Sequence, residues 1–153
     1  MKFITSSHHG GEARIKEQFI LEICSLIQQT DATKGKKSVT DFRDSIPKDL
    51  IKLGWSDNVC LDSKISKINI TSVREKVGLC VQTGNVSRIY ADLLKLQTLY
   101  VRNTIKAAIV IVPTAPTSRI IGVNVASYDR LEKEMELFDP VITVPLVVIG
   151  FEV

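Results

Sequence analysis

The stretch K-V-G-L-C-V-Q-T-G-N, residues 76–85, decides the fold predicted for this chain. Residues 76–81 predict a buried β-strand, and the polar residues that follow, with Gly84 among them, predict a turn. A strand that ends in such a turn often carries an active-site carboxylate near its end. This strand has Cys80 in its second half, so the role of that cysteine is the first question that the sequence raises.

The segments around this stretch predict its neighbours in a sheet. Residues 65–70 alternate apolar and polar side chains and predict a half-buried strand that forms a hairpin with residues 76–81, with a turn at S-V-R-E. A helix over residues 86–102 packs back on the hairpin. The β-branched run A-A-I-V-I-V, residues 107–112, predicts a strand buried on both faces, and residues 144–151 predict a closing strand of the same kind.

The remaining elements follow from helical periodicity and from turn-forming residues. They are a strand at residues 2–5, helices at 12–29, 41–53 and 127–138, a flexible loop at 30–40, and a proline-stiffened loop at 113–119. Pro47 is expected in the first turn of the second helix, and Gly54 is expected to end that helix. The order of the elements predicts an α/β protein whose mixed sheet has a parallel part and is flanked by helices.

Composition places the chain among ordinary globular proteins. It has 153 residues, of which 44% are hydrophobic and 24% charged, so we expect one core and a single domain over residues 1–153.

The apolar runs are too short to cross a bilayer, and the N-terminus lacks a secretory h-region, which predicts a soluble, cytoplasmic protein with no membrane partner. A net charge of +3 permits a polyanionic partner. Three widely spaced cysteines suggest neither disulfides nor a zinc site.

Three motifs resemble a known family. They are T-S-V-R-E-K-V-G-L-C-V-Q-T-G-N-V-S-R-I-Y-A-D-L-L-K-L-Q (71–97), I-V-I-V-P (109–113) and P-L-V-V-I-G (145–150). Together they resemble the type II restriction endonucleases of the BglII/BstYI group, which belong to the PD-(D/E)XK nuclease superfamily. The likeness is good from residue 65 onward and looser before it. It implies a restriction-endonuclease-like three-layer sandwich, a homodimer, double-stranded DNA as partner, and Mg²⁺-dependent cleavage of phosphodiester bonds.

The resemblance also assigns the catalytic positions. Gln82 matches the family's glutamine, whereas Cys80 stands where the family has a metal-binding glutamate. The family's aspartate falls on Thr71, or on Asn69 if the hairpin is two residues longer. A protonated thiol in an apolar strand cannot serve as a hard oxygen ligand for Mg²⁺, so we expect Mg²⁺ only if activity survives and assign no metal ligand.

Two further interpretations of the catalytic positions stay open. Glu75 and Asp62 are the nearest spare acids, so a migrated carboxylate could replace the lost ones. Cys80 could itself be a nucleophile only if His8 or His9 were its base, and a small buried hydrophobe is the favoured interpretation.

The predicted DNA contacts lie on the turn after Gln82 and on the proline-stiffened loop. In the family the T-G-N turn reaches DNA, and hydroxyls and an arginine on a stiff loop suit phosphate and base-edge contacts. The candidate DNA-binding residues are Thr83, Asn85, Arg88, Thr114, Ser118, Arg119 and Asn124. Lysines at positions 34, 36 and 37 would add salt-dependent affinity in a DNA-binding protein.

These observations support two hypotheses of different classes. The first is a restriction-endonuclease-like protein that binds duplex DNA as a homodimer and has a degraded cleavage centre, in other words a pseudoenzyme. The alternative is a catalytically inactive α/β scaffold that serves as a protein–protein interaction module. A basic cleft would favour DNA, and an apolar patch on the same face would favour a protein partner.

Overall fold

The computed structural model describes residues 1–30 and 36–153. Its helices and strands, in chain order, are β1 (Lys2–His8), α1 (Gly11–Arg14), α2 (Glu17–Gln29), α3 (Lys36–Lys52), β2 (Val59–Cys60), β3 (Asn69–Ile70), β4 (Ser72–Arg74), β5 (Val77–Val81), α4 (Ser87–Val101), β6 (Ala107–Pro113), α5 (Ala115–Ile121), α6 (Tyr128–Phe138) and β7 (Leu146–Glu152). In the described part of the chain, no helix is long and apolar enough to span a membrane.

The main sheet is mixed, as the order of elements predicts. Across the described residues it has five strands in the order β1-β7-β6-β5-β4. The strands β5, β6 and β7 are parallel to one another, while β4 and β1 pair antiparallel at the two edges. The β-branched run of β6 is buried at every position and takes the centre, which confirms the prediction made from A-A-I-V-I-V.

Helices cover both faces of this sheet. On one face, α2 and α3 bury Phe19, Ile23 and Phe42 against one set of strand side chains. On the other face, α4 and α6 bury Leu93 and Leu131 against the alternate set. Successive strand residues point to opposite faces, so the two apolar clusters share the sheet between them. The result is the predicted three-layer arrangement, with Cys80 facing the α4 side.

The hairpin has a different position from the predicted one. Its first strand is β4, and its turn lies at Glu75 and Lys76, which have positive φ values of 47° and 62°. Two consecutive left-handed residues give a tight turn whose twist matches that of the flanking strands. The predicted strand at residues 65–70 is wrong apart from β3, because a turn at residues 62–66 uses the Asp62 carbonyl and leaves Ile65 exposed.

Residues 113–119 are also not the predicted loop. Pro113 ends β6, and α5 begins at Ala115, with Pro116 in its first turn where a proline costs no hydrogen bond. The Asp129 carboxylate, which lies on α6, accepts a hydrogen bond from the Ala115 backbone N–H at 2.6 Å. A distant residue therefore stabilises the start of a helix that local composition does not predict.

The N-terminal helices also differ from the predictions. The helix predicted at 12–29 is two helices, because Ile15 adopts an extended conformation and buries its side chain beside α2. The loop predicted at 30–40 falls partly outside the described residues, which omit 31–35 and hence Lys34. Residues 36–40 are helical, so that part of the prediction is wrong. Pro47 lies inside α3 instead of in its first turn, whereas Gly54, with φ of 87°, follows the helix end as expected.

Candidate functional site

A cavity of about 810 Å³ opens where β5 ends, between α3 and α4. We call it the β5 pocket. Thr71, Cys80 and Gln82 line it from the sheet side, and Asp92 and Lys95 line it from α4. Its remaining basic side chains are Arg43, Lys48 and Arg88. The structure thus brings the residues at the predicted catalytic positions into one pocket with basic side chains around it.

Thr71 and Cys80 both line the β5 pocket at the open end of the hairpin. Thr71 directly precedes β4, whose first residue, Ser72, pairs with Leu79. The Thr71 N–H donates to the Leu79 carbonyl at 3.0 Å, and the Thr71 hydroxyl accepts from the Val81 N–H at 3.2 Å. The regular pairing therefore ends at Ser72, and Thr71 bonds to both neighbours of Cys80. Carboxylates at these two positions could share one cation in the pocket.

The Cys80 thiol is buried and held in its neutral form. Burial raises the pKa of Cys80 well above its ordinary value of 9.0, and the Asp92 carboxylate adds to this rise. Lys95 and a backbone hydrogen bond with Thr71 oppose the rise but do not reverse it. His8 and His9 pair with Glu132 and Asp139 of the α6 region, and neither histidine lines the β5 pocket. The environment does not activate Cys80 as a nucleophile.

We expect the three thiols to differ sharply in reactivity. Cys60 is exposed and should react with iodoacetamide at pH 8 within minutes, whereas Cys24, half-buried with a raised pKa, should react slowly. Cys80 should stay unmodified until the protein is unfolded, because it is buried and protonated. Mass spectrometry of peptides after timed labelling measures this order, and rapid labelling of Cys80 in folded protein would contradict it.

The raised pKa of Cys80 also determines how the free energy of unfolding changes with pH. Above pH 9 the unfolded thiol ionises while the folded one stays protonated, so the folded state binds more protons and stability falls as pH rises. Well below pH 9 the thiol is protonated in both states, so its contribution to the free energy of unfolding does not change with pH. Cys80→Ala should therefore flatten the decline in the free energy of unfolding between pH 9 and pH 10.5, measured by urea denaturation beside the parent protein.

Gln82, Asp92 and Lys95 form a hydrogen-bonded chain at the pocket. The Gln82 side-chain amide donates to one Asp92 oxygen at 2.7 Å, and the Lys95 ammonium donates to the other at 2.8 Å. The Gln82 carbonyl oxygen accepts from the Gly84 N–H at 2.9 Å. Both ends of the Gln82 side chain are therefore engaged with the protein, in a buried setting where such bonds fix its orientation.

The residues of the β5 pocket do not fit a Mg²⁺ ion. Mg²⁺ prefers several oxygen ligands with carboxylates among them. Cys80 and Thr71 offer a neutral thiol and a hydroxyl, and the Asp92 carboxylate is already paired with the Lys95 ammonium. Of the two other carboxylates that line the pocket, Asp44 pairs with Arg43, and Asp57 accepts a hydrogen bond from the Asn58 N–H. Throughout residues 1–30 and 36–153, no group of three or more His, Cys, Asp or Glu side chains could hold a metal ion.

The structure separates the other candidate acids from Cys80. Glu75 lies in the hairpin turn at the opposite end of β5, where it pairs with Lys16 at 2.6 Å, and this hydrogen bond lowers the pKa of Glu75. Asp62 lies in the turn before β3 and does not line the pocket. Asn69 does line it, but it pairs with Cys60 in the small sheet of β2 and β3. Thr71 and Asn69 thus line the pocket together with Cys80, whereas Glu75 and Asp62 do not.

The turn after Gln82 is joined to a second loop. Asn85 forms an isolated bridge with Val125, the Val86 N–H donates to the Asn124 carbonyl, and the Ala126 N–H donates to the Gly84 carbonyl. The side chains of Asn85, Asn124 and Arg88 are exposed on this pair of loops and at the start of α4. These three predicted DNA-binding residues thus lie on one surface beside the β5 pocket, which Arg88 also lines.

The predicted contact residues with hydroxyl groups have a different environment. Thr83, Thr114 and Ser118 are buried. The Ser118 hydroxyl donates to the Ala115 carbonyl, and the Thr114 hydroxyl donates to the Thr117 hydroxyl. Burial leaves these hydroxyls little surface for an outside partner in this conformation. Arg119 is exposed on α5.

The sequence patterns missed several residues of the pocket. Arg43 and Lys48 belong to α3, which is distant in sequence from the catalytic motif, so no local signal connects them with it. Lys95 is different, because D-L-L-K places Asp92 and Lys95 three residues apart on one helix face. That spacing predicts an ion pair, but only the position of α4 shows that the pair faces Cys80.

The α/β fold, together with a pocket at the end of its hairpin strand, defines a protein of the restriction-endonuclease-like class. The chain belongs to the family described as "Restriction endonuclease BglII/BglIII", whose model matches residues 3–151. Two similar solved structures are BglII complexed with a DNA 16-mer (TM-score 0.81, 14% identity, covering 98% of this chain and 76% of that one) and free BglII (TM-score 0.72, 13% identity, covering 100% and 80%). No curated protein matches the chain.

Proposed function

We propose that this protein binds duplex DNA and that its cleavage centre has lost the carboxylates that would hold a metal ion. The observation that carries the proposal is the β5 pocket, which Cys80 and Thr71 both line at the end of the hairpin. Family membership gives the reason to expect DNA, and the donor set of the pocket gives the reason to expect no metal-dependent cleavage.

The charge around the pocket supports DNA as the partner. Four basic side chains line it against three carboxylates, so the lining carries one excess positive charge. Exposed Asn85, Asn124 and Arg88 lie on the adjoining surface and suit contacts to phosphates and base edges. One of the similar structures is BglII in complex with a DNA 16-mer, and the similarity covers 98% of this chain. The proposal extends to a homodimer, with the two pockets on one duplex.

The test is a titration of two labelled duplexes, one of random sequence and one containing GATC, with and without Mg²⁺ or Mn²⁺. Fluorescence anisotropy reports binding and gel electrophoresis reports cutting. We expect salt-sensitive binding without cutting under all conditions, and sedimentation should show a dimer on the duplex. Cutting would refute the loss of the cleavage centre. Absence of binding in every condition would refute the DNA proposal and favour the protein-interaction scaffold.

A pair of variants locates the DNA surface. Arg88→Gln should weaken binding about fivefold or more, because an exposed guanidinium beside the pocket would contact backbone phosphate. Lys106→Gln is the matched control, since Lys106 lies at the start of β6, by Lys76 and the hairpin turn and away from the pocket. Equal effects of the two changes would place the DNA elsewhere.

A further inference from the structure

Lys95 places a positive charge inside the β5 pocket. Its side chain is only 23% exposed, and its ammonium lies 2.8 Å from an Asp92 carboxylate oxygen. An ammonium has three N–H donors, and among the described residues Asp92 is its one hydrogen-bond acceptor. Two donors therefore remain for an acceptor in the cavity that Lys95 lines.

The position of this ammonium is determined by a chain of contacts. The Gly84 N–H donates to the Gln82 side-chain oxygen, and the Gln82 amide donates to the Asp92 carboxylate. The other oxygen of that carboxylate accepts from the Lys95 ammonium. Gln82 and Asp92 are both buried, so the chain is shielded from water. A charge that is held in place before the ligand arrives loses little freedom on binding. Gln82 and Asp92 are positioning residues for Lys95.

The ammonium lies close to the position where the family has its carboxylates. Burial is the main cause of the raised pKa of Cys80, and the charges of Asp92 and Lys95 act on the same thiol in opposite directions. Cys80, Asp92 and Lys95 line the same pocket. A divalent ion at such a position would bring positive charge to a phosphate of the DNA backbone. Here a lysine supplies positive charge from within the chain.

We infer that the Lys95 ammonium takes the place of a divalent ion and that the β5 pocket binds a phosphate group without metal. The ligand is a tetrahedral oxyanion that accepts two hydrogen bonds from Lys95, with Arg88 and Lys48 as further cations on the pocket wall. This inference rests on the proposed function for its physiological ligand, which is a phosphodiester of duplex DNA. It goes beyond that proposal because it names Lys95 as the phosphate-binding residue and states that DNA binding requires no metal ion.

The first arm of the test measures DNA affinity by anisotropy in EDTA and in Mg²⁺ at equal ionic strength. The parent protein should bind equally in both, because no divalent ion takes part. Lys95→Gln should bind about tenfold more weakly, and the slope of log affinity against log salt should fall by about one. Lys95→Arg should recover most of the affinity. Lys52→Gln is the matched control, since Lys52 forms the same i,i+3 pair with Asp49 outside the pocket.

The second arm uses inorganic phosphate in metal-free buffer and measures the Tm. Phosphate should raise the Tm of the parent protein and of Lys52→Gln more than that of Lys95→Gln. Circular dichroism verifies folding, and Lys95→Met replaces Lys95→Gln if the latter does not fold.

The two arms separate the inference from the proposed function. If the parent protein binds DNA and Lys95→Gln binds within twofold of it, the inference is wrong and the proposed function stands. A requirement for divalent ions in DNA binding also overturns it. If the parent protein does not bind DNA, the proposed function is wrong, and the inference is then judged by the phosphate experiment alone. A rise in Tm that depends on Lys95 supports phosphate binding in the β5 pocket. Equal rises in all variants refute it.

Discussion

The double substitution Cys80→Glu and Thr71→Asp is expected to create a divalent-ion site where the parent protein has none. Cys80 lies on β5, Thr71 directly precedes β4, and both line the β5 pocket, so their carboxylates would lie in one cavity. Without metal the two charges repel each other and destabilise the fold. Mn²⁺ or Mg²⁺ should relieve this repulsion and raise the Tm of the variant by several degrees, and leave that of the parent unchanged. Thermal unfolding with and without metal is the measurement.

The single substitutions are the controls for this result. Cys80→Glu or Thr71→Asp alone supplies one new carboxylate and should show a much smaller metal effect. The double variant should also nick plasmid DNA in the presence of Mg²⁺, read on agarose gels beside the parent protein. A folded double variant whose Tm does not respond to metal would show that Cys80 and Thr71 are not the positions where carboxylates were lost.

Asp92→Ala is expected to lower the free energy of unfolding by about 2–4 kcal/mol. The substitution removes the acceptor of two hydrogen bonds and leaves Gln82 and Lys95 without their shared partner. Asp92 is buried, so water replaces the lost contacts poorly. DNA affinity should fall as well, because the Lys95 ammonium is no longer held in position. Urea denaturation gives the first quantity and anisotropy the second.

Asp49→Ala is the matched control for this prediction. Asp49 also pairs with a lysine at i,i+3, but Lys52 is 76% exposed and the pair lies outside the pocket, so its loss should cost about 0.5 kcal/mol or less. Asp92→Asn should lie between the two, since its one oxygen can accept from Gln82 or Lys95 but not serve both equally. If Asp92→Ala and Asp49→Ala cost the same, the chain from Gln82 to Lys95 does not contribute to stability.

Residue patterns with a clear period predicted the central elements. The run at 107–112 became the fully buried β6, and the spacing of Ile89, Leu93 and Leu96 became the buried face of α4. These predictions succeed because an element that buries one face or both needs apolar residues at a fixed repeat. The resemblance in residues 71–97 led to the family and the fold, and both are confirmed. The same resemblance predicts Cys80 at the glutamate position and Thr71 or Asn69 at the aspartate position, and this assignment stays a prediction.

Other elements depend on contacts between distant residues. Local composition predicts a loop at 113–119, yet α5 forms there with a hydrogen bond from the Ala115 N–H to Asp129. Alternation predicts a strand at 65–70, yet only residues 69–70 form one, and the N–H groups of Ile65 and Ser66 donate to the Asp62 carbonyl in a turn. Local sequence patterns limit the conformations that a segment can adopt, and contacts with distant residues select among those conformations.

By itself, the sequence determined the order of the main elements and the burial of β6, and it predicts which residues stand at the catalytic positions. Each of these depends on neighbours within one element or on a motif that can be aligned residue by residue. Only the tertiary structure decided that Thr71 and Cys80 line one pocket, that Glu75 is at the far end of β5, and that Lys95 enters the pocket. The physical reason is that charge and hydrogen bonding act across space, so they are defined only after β4, β5 and α4 have packed together.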